Sequence, residues 1–459
     1  MSVPPPPFTP FLGARIAVVG LGRAGLPAAR RLMEWGAEVE AWDDREEARR
    51  AAAEAGVTLR EPGSGRFRAD ALLLSPGIPH RLPKPHPAAE AAQAAGAPIL
   101  CDVEFLYRAV LAAHSSTRFV GVTGTNGKST TTALIHHMLS RAGRVSAAGG
   151  NLGPAALSLN ILGSDGIYTL EMSSYMLERI ATLRFNVAVM LNLSPDHLDR
   201  HGDMAGYAAA KARIFARQQR GDVAVLGQDD APTAAMARGL VARLVPISAR
   251  AAQPGGIWAE GRRLRDDAGE ILDLADAPAL PGSHNAQNAA AAAAAAFALG
   301  LSRAEVAAGL ATYPGLPHRQ ERVAESHGVV FVNDSKATNA EAAARALASY
   351  DRVVWIAGGE AKEGGIESLA PLFPRIARAF LIGRDAPLLA ATLAAHGVAH
   401  EIAGTLDAAV PAAAQAAFAG AAPVVLLSPA CASFDQFTGF DARGDRFRAL
   451  ALAIASGGA

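Results

Sequence analysis

Apolar positions along this chain fall into two rhythms, short continuous runs and longer stretches with a helical repeat, and their alternation predicts an α/β fold throughout. Arg15-Ile-Ala-Val-Val19 reads as a buried strand, followed by a helical pattern up to Trp35 and a second strand from Ala37 to Trp42. A third run covers Ala69 to Leu74. A second group has strand-like runs at Arg118-Phe-Val120, Gly166 to Glu171, Asn186 to Asn192 and Asp222 to Leu226, with a helix over Thr131 to Leu139. Runs at Val329 to Val332, Arg352 to Ala357, Ala379 to Ile382 and Pro423 to Leu427 form a third group. Uniformly apolar strands separated by helices suit parallel sheets covered on both faces. The eight alanines Ala289 to Ala296 read as helix, since alanine is the best helix former. Pro314-Gly-Leu-Pro317 punctuates the chain and is expected to be a hinge. The predicted domains are 1–110, 111–314 and 315–459, and the 459 residues also suggest about three domains.

Composition narrows the classes of partner. Half of the residues are apolar, and Lys plus Arg equal Asp plus Glu at 43 each, so no global field draws the chain to nucleic acid or an anionic membrane. Cys101 and Cys431 are too few and too distant for a disulfide or metal framework, and a reducing, cytoplasmic setting is expected. The start Met1-Ser-Val-Pro-Pro-Pro-Pro7 lacks the basic and apolar parts of a signal peptide. No run has the length of a membrane span.

Candidate chemistry sits at the ends of the expected strands. Gly121-Val-Thr-Gly-Thr-Asn-Gly-Lys-Ser-Thr130 is a glycine-rich turn between a strand and a helix, where free N–H groups and the helix dipole meet an anion. Gly124 and Gly127 would let the backbone approach phosphates, Lys128 would reach the β/γ oxygens, and Ser129 or Thr130 would sit on Mg²⁺. A strict phosphate-loop spacing needs glycine where Val122 stands. Gly20-Leu-Gly-Arg-Ala-Gly25, with Asp43-Asp44-Arg45 at the next strand end, has the order of a dinucleotide-binding unit. That order fits NAD, and it fits the diphosphate and ribose of a UDP-sugar equally well. Glu171 ends a strand and could bind a metal that bridges ATP phosphates, or could simply cap a helix. In Asn192-Leu-Ser-Pro-Asp-His-Leu-Asp-Arg-His201, leucine follows His197 where a zinc protease needs glutamate, so Asp196, His197 and Asp199 suit a magnesium and phosphate environment or a surface network. Lys211 reads by default as a solvated lysine. Asn333-Asp-Ser-Lys-Ala-Thr-Asn339 and Ser428 to Phe440 load polar groups and aromatics onto strand ends, a poor core and a good site for a polar substrate.

Taken together, Gly124 to Thr130, His284-Asn-Ala-Gln-Asn288, Gly315-Leu-Pro-His-Arg319 and Asn333 to Asn339 resemble the Mur ligases of peptidoglycan synthesis, in order and over essentially the whole chain. The run Asp-Ser-Lys-Ala-Thr-Asn and Ser428-Pro-Ala-Cys-Ala-Ser433 resemble the members that add D-glutamate to UDP-N-acetylmuramoyl-L-alanine. The resemblance implies a Rossmann-like UDP-binding domain, a central ATPase domain of phosphate-loop type and a Rossmann-like C-terminal domain. It implies an acyl-phosphate route using ATP and two Mg²⁺ ions, in a cytoplasmic monomer that neither binds nucleic acid nor inserts in a membrane. By the same resemblance, Gly124, Thr125, Asn126, Gly127, Lys128, Ser129, Thr130, Asn285, Asn288, Arg319 and Asp334 hold the nucleotide. Ser129, Glu171 and His197 would hold magnesium, and Lys211 would carry a CO₂-derived carbamate that serves as a further ligand. Asn151 falls near the reacting centre. Gly22, Asp43, Asp44, Arg45, Ser75 and Gly77 correspond to the UDP end, and Lys336, Thr338, Lys362, Ser433 and Phe440 to the D-glutamate pocket. Tyr175-Met176 departs from the Phe-Gln frequent in the family. Alternatives are a sister ligase or folylpolyglutamate-type ligase, an NAD-dependent oxidoreductase, and a non-catalytic nucleotide-binding regulator; the oxidoreductase leaves the phosphate loop and Asn333 to Asn339 without roles.

Overall fold

A computed structural model describes residues 8–62, 67–113, 116–151, 153–362 and 364–457, so the proline-rich start Met1 to Pro7 and its signal-peptide reading lie outside the described residues. The chain divides into two compact units, 1–276 with 283–312, and 277–282 with 313–459. Pro314 to Pro317 falls at the start of the second unit's main segment.

The first unit contains two sheets. One has five parallel strands in the order Thr58–Leu59, Glu38–Trp42, Arg15–Val19, Ala71–Leu74, Ile99–Leu100. The other has nine, with Arg118–Thr123 between Val187–Met190 and Ile167–Glu171. Its antiparallel edge, formed by Ile257–Glu260, Arg263–Asp266 and Gly269–Asp273, was not foreseen, because Arg263-Leu-Arg-Asp266 has no apolar run to mark a strand. The strand expected over Arg118 to Val120 continues to Thr123. Gly121 therefore belongs to the strand, where a Cβ would come within 2.7 Å of the Phe185 ring. Apolar residues of both sheets, including Ile16, Val18, Phe119, Tyr168 and Met190, share one buried cluster with Phe105 of the helix Asp102–Ala112. The alanine tract lies in the helix Ser283–Ala298, which packs on the helix Lys128–Arg141; Ala289 to Ala293 are fully buried, and their small side chains permit that approach.

The second unit holds a six-stranded sheet in the order Glu321–Ser326, Val329–Asn333, Val424–Leu427, Val353–Gly358, Ile376–Ile382, His400–Gly404. Only the Glu321–Ser326 edge is antiparallel. Along its strands the side chains alternate between two cores, with Val353, Trp355 and Ala357 in one and Val354 and Ile356 in the other. A continuous apolar run is thus a strand buried on both faces.

Candidate active site

In the nine-stranded sheet, three neighbouring strands end together, and their ends carry the phosphate loop, Glu171 and Asn192. Ligands of α/β sheets bind at such carboxyl ends. Gly127 adopts φ +84°, and a Cβ there would lie 2.1 Å from Asn288 Oδ1. The glycine thus lets the loop turn tightly against the helix bearing Asn285 and Asn288, which are themselves joined by a 3.0 Å bond from Asn288 Nδ2 to Asn285 Oδ1. Asn192 braces the loop: its Oδ1 accepts from the Asn126 amide at 2.9 Å, while its Nδ2 donates to Gln287 Oε1 at 2.8 Å. Ser129 is buried and Thr130 partly so. Lys128 is not turned fully to solvent. Its ammonium donates to the carbonyls of Gly124 at 3.0 Å and Thr125 at 2.9 Å, folding back over the loop.

Glu171 is 2% exposed, with Oε1 accepting from Asn151 Nδ2 at 2.6 Å. Its second oxygen, Oε2, is buried without a hydrogen-bond partner. An orphaned carboxylate oxygen beside a phosphate loop fits a hard cation. Among the described residues no three His, Cys, Asp or Glu side chains are grouped to hold a metal ion by themselves. Mg²⁺ takes one or two carboxylates plus phosphate oxygens and water. His197 adopts φ 53°, is half-exposed, and lies in an aromatic cluster 5.0 Å from Tyr175 and 6.4 Å from Tyr207, ring to ring.

Lys211 departs from the solvated default. It is 1% exposed on the helix Met204–Ala212, with Nζ donating to the Gly124 carbonyl at 2.8 Å and lying 4.8 Å from the Tyr207 ring centre. Burial, and then the positive Lys128, hold its ammonium well below the ordinary lysine range, against the pull of Asp196 and Glu171. Lowering the pKa of a buried lysine makes its unprotonated amine, the form nucleophilic chemistry requires, easier to reach.

A cavity of about 480 Å³ opens at the carboxyl end of the five-stranded sheet. It brings together Gly22, Asp43, Asp44, Arg45 and Ser75 and reaches Asn151, so these expected UDP residues and the asparagine that bonds Glu171 border one space; Gly77 does not line it. Asp43 works inside the protein, with Oδ2 accepting from the Leu21 amide at 2.7 Å and Oδ1 from the Arg45 amide at 2.9 Å. Burial raises its pKa, but the bonds from Arg45 and Leu21 outweigh that and hold it below the usual carboxylate range. Asp44 and the Arg45 guanidinium are exposed at the rim. Gly20 and Gly25 meet closely: a Cβ on Gly25 would be 1.7 Å from the Gly20 carbonyl oxygen.

In the second unit, Asp334 is buried, accepting from Ser428 Oγ at 2.8 Å and the Gln320 amide at 3.1 Å. Burial pushes its carboxyl up to about 7. Arg319 is exposed. Lys336 Nζ lies 5.1 Å from the Phe440 ring, Ser433 is buried, Thr338 is half-buried and Lys362 is exposed.

Sequence reasoning missed Arg23, which lines the cavity and donates to the Asn151 carbonyl at 2.9 Å. It also missed Arg179, 1% exposed, whose guanidinium donates to the carbonyls of Leu74 at 2.7 Å, Ser75 at 2.9 Å and Ile78 at 2.5 Å. Glu178-Arg179 offers no pattern that separates a buried arginine from a solvated one; only the fold brings it under the cavity wall.

The sheets and strand-end loops define an α/β protein built to bind phosphorylated ligands. Residues 122–296 match the Mur ligase middle domain and residues 318–431 the Mur ligase glutamate ligase domain. The chain is 52% identical over 455 residues to the UDP-N-acetylmuramoylalanine--D-glutamate ligase of Paramagnetospirillum magneticum, covering 97% of this chain and 98% of that protein. It is 48% identical over 465 residues to the protein of the same name from Caulobacter vibrioides, covering 98% of each. Among solved structures, UDP-N-acetylmuramate-alanine ligase MurC from Thermotoga maritima shares the fold, with TM-score 0.60 at 18% identity over 96% of this chain and 99% of that one. This chain belongs to the Mur ligase family.

Proposed function

We propose that this chain joins the amine of D-glutamate to the L-alanyl carboxylate of UDP-N-acetylmuramoyl-L-alanine at the expense of ATP, in the synthesis of peptidoglycan precursors. The observation that carries the reading is the identity of about half the residues, over nearly the full length, to proteins named for this reaction. The site geometry supports it independently, through the phosphate loop, the orphaned Glu171 oxygen and a cavity running to Asn151.

A carboxylate is a poor electrophile, so the reaction begins with its oxygen attacking the γ-phosphorus of ATP and ADP leaving. The D-glutamate amine then attacks the acyl carbon, phosphate departs, and the nitrogen gives up a proton. In this reading the loop Gly124 to Thr130 cradles the phosphates, and Lys128 exchanges its loop carbonyls for a phosphoryl oxygen. Asn151 orients Glu171 and the substrate's reacting end, and the cavity wall of Gly22, Asp44, Arg45 and Ser75 holds the UDP portion. Ser129, Glu171, His197 and a carbamate on Lys211 would hold two Mg²⁺ ions, which supply charge neutralisation at the transferring phosphoryl group. The lowered pKa of Lys211 favours the carbamate, since only the free amine adds CO₂. The reading also assigns Asn285 and Asn288 of the first unit, and Arg319 and Asp334 of the second, to the nucleotide, and Lys336, Thr338, Lys362, Ser433 and Phe440 to D-glutamate. Gly77, outside the cavity lining, is assigned to the UDP end because its neighbours Pro76 and Ile78 line the cavity. The reading assigns three functional domains, 1–110, 111–314 and 315–459, to a cytoplasmic monomer. Among the described residues no helix is long and apolar enough to cross a membrane.

The test is incorporation of labelled amino acids into the UDP-linked product. Incorporation of D-glutamate, with L-glutamate and meso-diaminopimelate rejected, supports the reading. Incorporation of another amino acid in its place moves the chain to a sister ligase, and no incorporation of any revives the regulator.

A further inference from the structure

The residues assigned to D-glutamate lie on three separate loops of the second unit, and one buried side chain bonds to all three. Arg443, 1% exposed, lies in the first turns of the helix Phe440–Ala455. On the loop after Val329–Asn333, its Nε donates to Ser335 Oγ at 3.0 Å and its Nη2 to the Ser335 carbonyl at 2.9 Å. On the loop after Val424–Leu427, Nη2 donates to the Cys431 carbonyl at 3.1 Å and Nη1 to that of Ala432 at 3.4 Å. Nη1 also reaches the Gly358 carbonyl, at 3.4 Å, at the end of Val353–Gly358. Each contact adjoins or leads to a pocket residue: Ser335 precedes Lys336, Ala432 precedes Ser433, and the Gly358 turn runs on to Lys362.

The surroundings leave this side chain little freedom. A Cβ on Gly359 would lie 2.1 Å from the Ala432 carbonyl oxygen and 3.3 Å from Arg443 Nη1, so the turn passes flat against the guanidinium. Ser335 Oγ donates in turn to the Phe440 carbonyl at 2.7 Å, which ties the helix start and its aromatic ring to the same junction. Among the described residues every acceptor of Arg443 is a hydroxyl or a carbonyl, and no carboxylate bonds to it. A buried cation that bonds only to neutral loop atoms fixes the geometry of those loops.

We propose that Arg443 is a positioning residue for the amino-acid pocket, setting the relative placement of Lys336, Ser433 and Lys362 without touching the amino acid. The proposal rests on the reading that these loops receive D-glutamate. Lysine at this position keeps the charge but not the planar fork, and one ammonium cannot span three loops. Displacement of binding groups by about 1 Å can lower rates as much as 100-fold. For Arg443→Lys the expected result is a KM for D-glutamate raised roughly ten-fold or more, with KM for ATP and for the UDP-linked substrate within about two-fold of wild type. A purely structural role would lower the melting temperature and the active fraction and leave all three KM values alone. If Arg443→Lys does not fold, Ser335→Ala, which removes one acceptor, decides the matter: a selective rise in the D-glutamate KM supports the proposal and an unchanged KM overturns it. A folded Arg443→Lys enzyme with an unchanged D-glutamate KM, or with all three KM values raised equally, also overturns it. A wild-type enzyme that ignores D-glutamate in the same assay overturns the underlying reading and this assignment with it.

Discussion

Glu171→Gln separates catalysis from folding more cleanly than any other change at the site. The carboxylate is 2% exposed, one oxygen takes the 2.6 Å bond from Asn151 Nδ2, and the other has no hydrogen-bond partner. Glutamine keeps the shape and can keep the Asn151 bond through its amide oxygen. Replacing a bond to a charged acceptor by a neutral one loses about 1 kcal/mol, and the amide nitrogen then stands unpaired where the second oxygen did, so one buried unpaired polar atom is exchanged for another. The variant should therefore melt within a few degrees of the wild-type temperature. Activity should fall. Loss of a preorganised charge at the reacting centre is worth about 3 to 4 kcal/mol, or 10² to 10³ in rate, and loss of a metal ligand adds to it. The assay pairs thermal melts with ADP formation in the presence of Mg²⁺ and all three substrates. A Gln variant that turns over within ten-fold of wild type, or that melts well below it, would refute the claim that the unpaired oxygen is held for a cation.

Lys211→Ala is expected to abolish turnover, with partial recovery in added acetate or bicarbonate through the emptied anion position; a rate indifferent to both the mutation and the added anions removes the carbamate. Lys128→Ala should end ADP formation and cost roughly 1 kcal/mol for each of its two loop bonds, and wild-type turnover in that variant would refute the loop assignment. Asp334, raised by burial to about 7 from an ordinary 3.8, stays protonated in the folded chain while the unfolded chain ionises. Its contribution to stability is therefore full below about pH 4 and falls away up to about pH 7, by on the order of 4 kcal/mol at 1.36 kcal/mol per unit. Compared with wild type, Asp334→Asn should flatten melting temperature against pH across that window, and parallel profiles would contradict it.

Much of the fold was legible because buried parallel strands announce themselves as unbroken apolar runs; Arg15–Val19 and Val424–Leu427 fall within a residue of expectation. The antiparallel edge of Arg263–Asp266 and Gly269–Asp273 was not, since its strands pair through the backbone and carry charged side chains outward. At the site, glycine turns and polar strand ends were visible as patterns. The state of Lys211 was hidden, because a sequence does not say whether the one lysine of an alanine-rich helix faces the core or the solvent. Arg179 and Arg443 were hidden for the same reason, as each bonds to backbone carbonyls that no side-chain pattern encodes. Asp43 shows the converse: the spacing that marked it for a ligand places it where it braces the Leu21 and Arg45 amides.

The central claim is tested most directly by phosphate release from ATP with Mg²⁺ and UDP-N-acetylmuramoyl-L-alanine, measured with and without D-glutamate. The account expects release that requires D-glutamate and is not supported by L-glutamate or meso-diaminopimelate. Release with D-glutamate absent, or none with any of these amines, would contradict it.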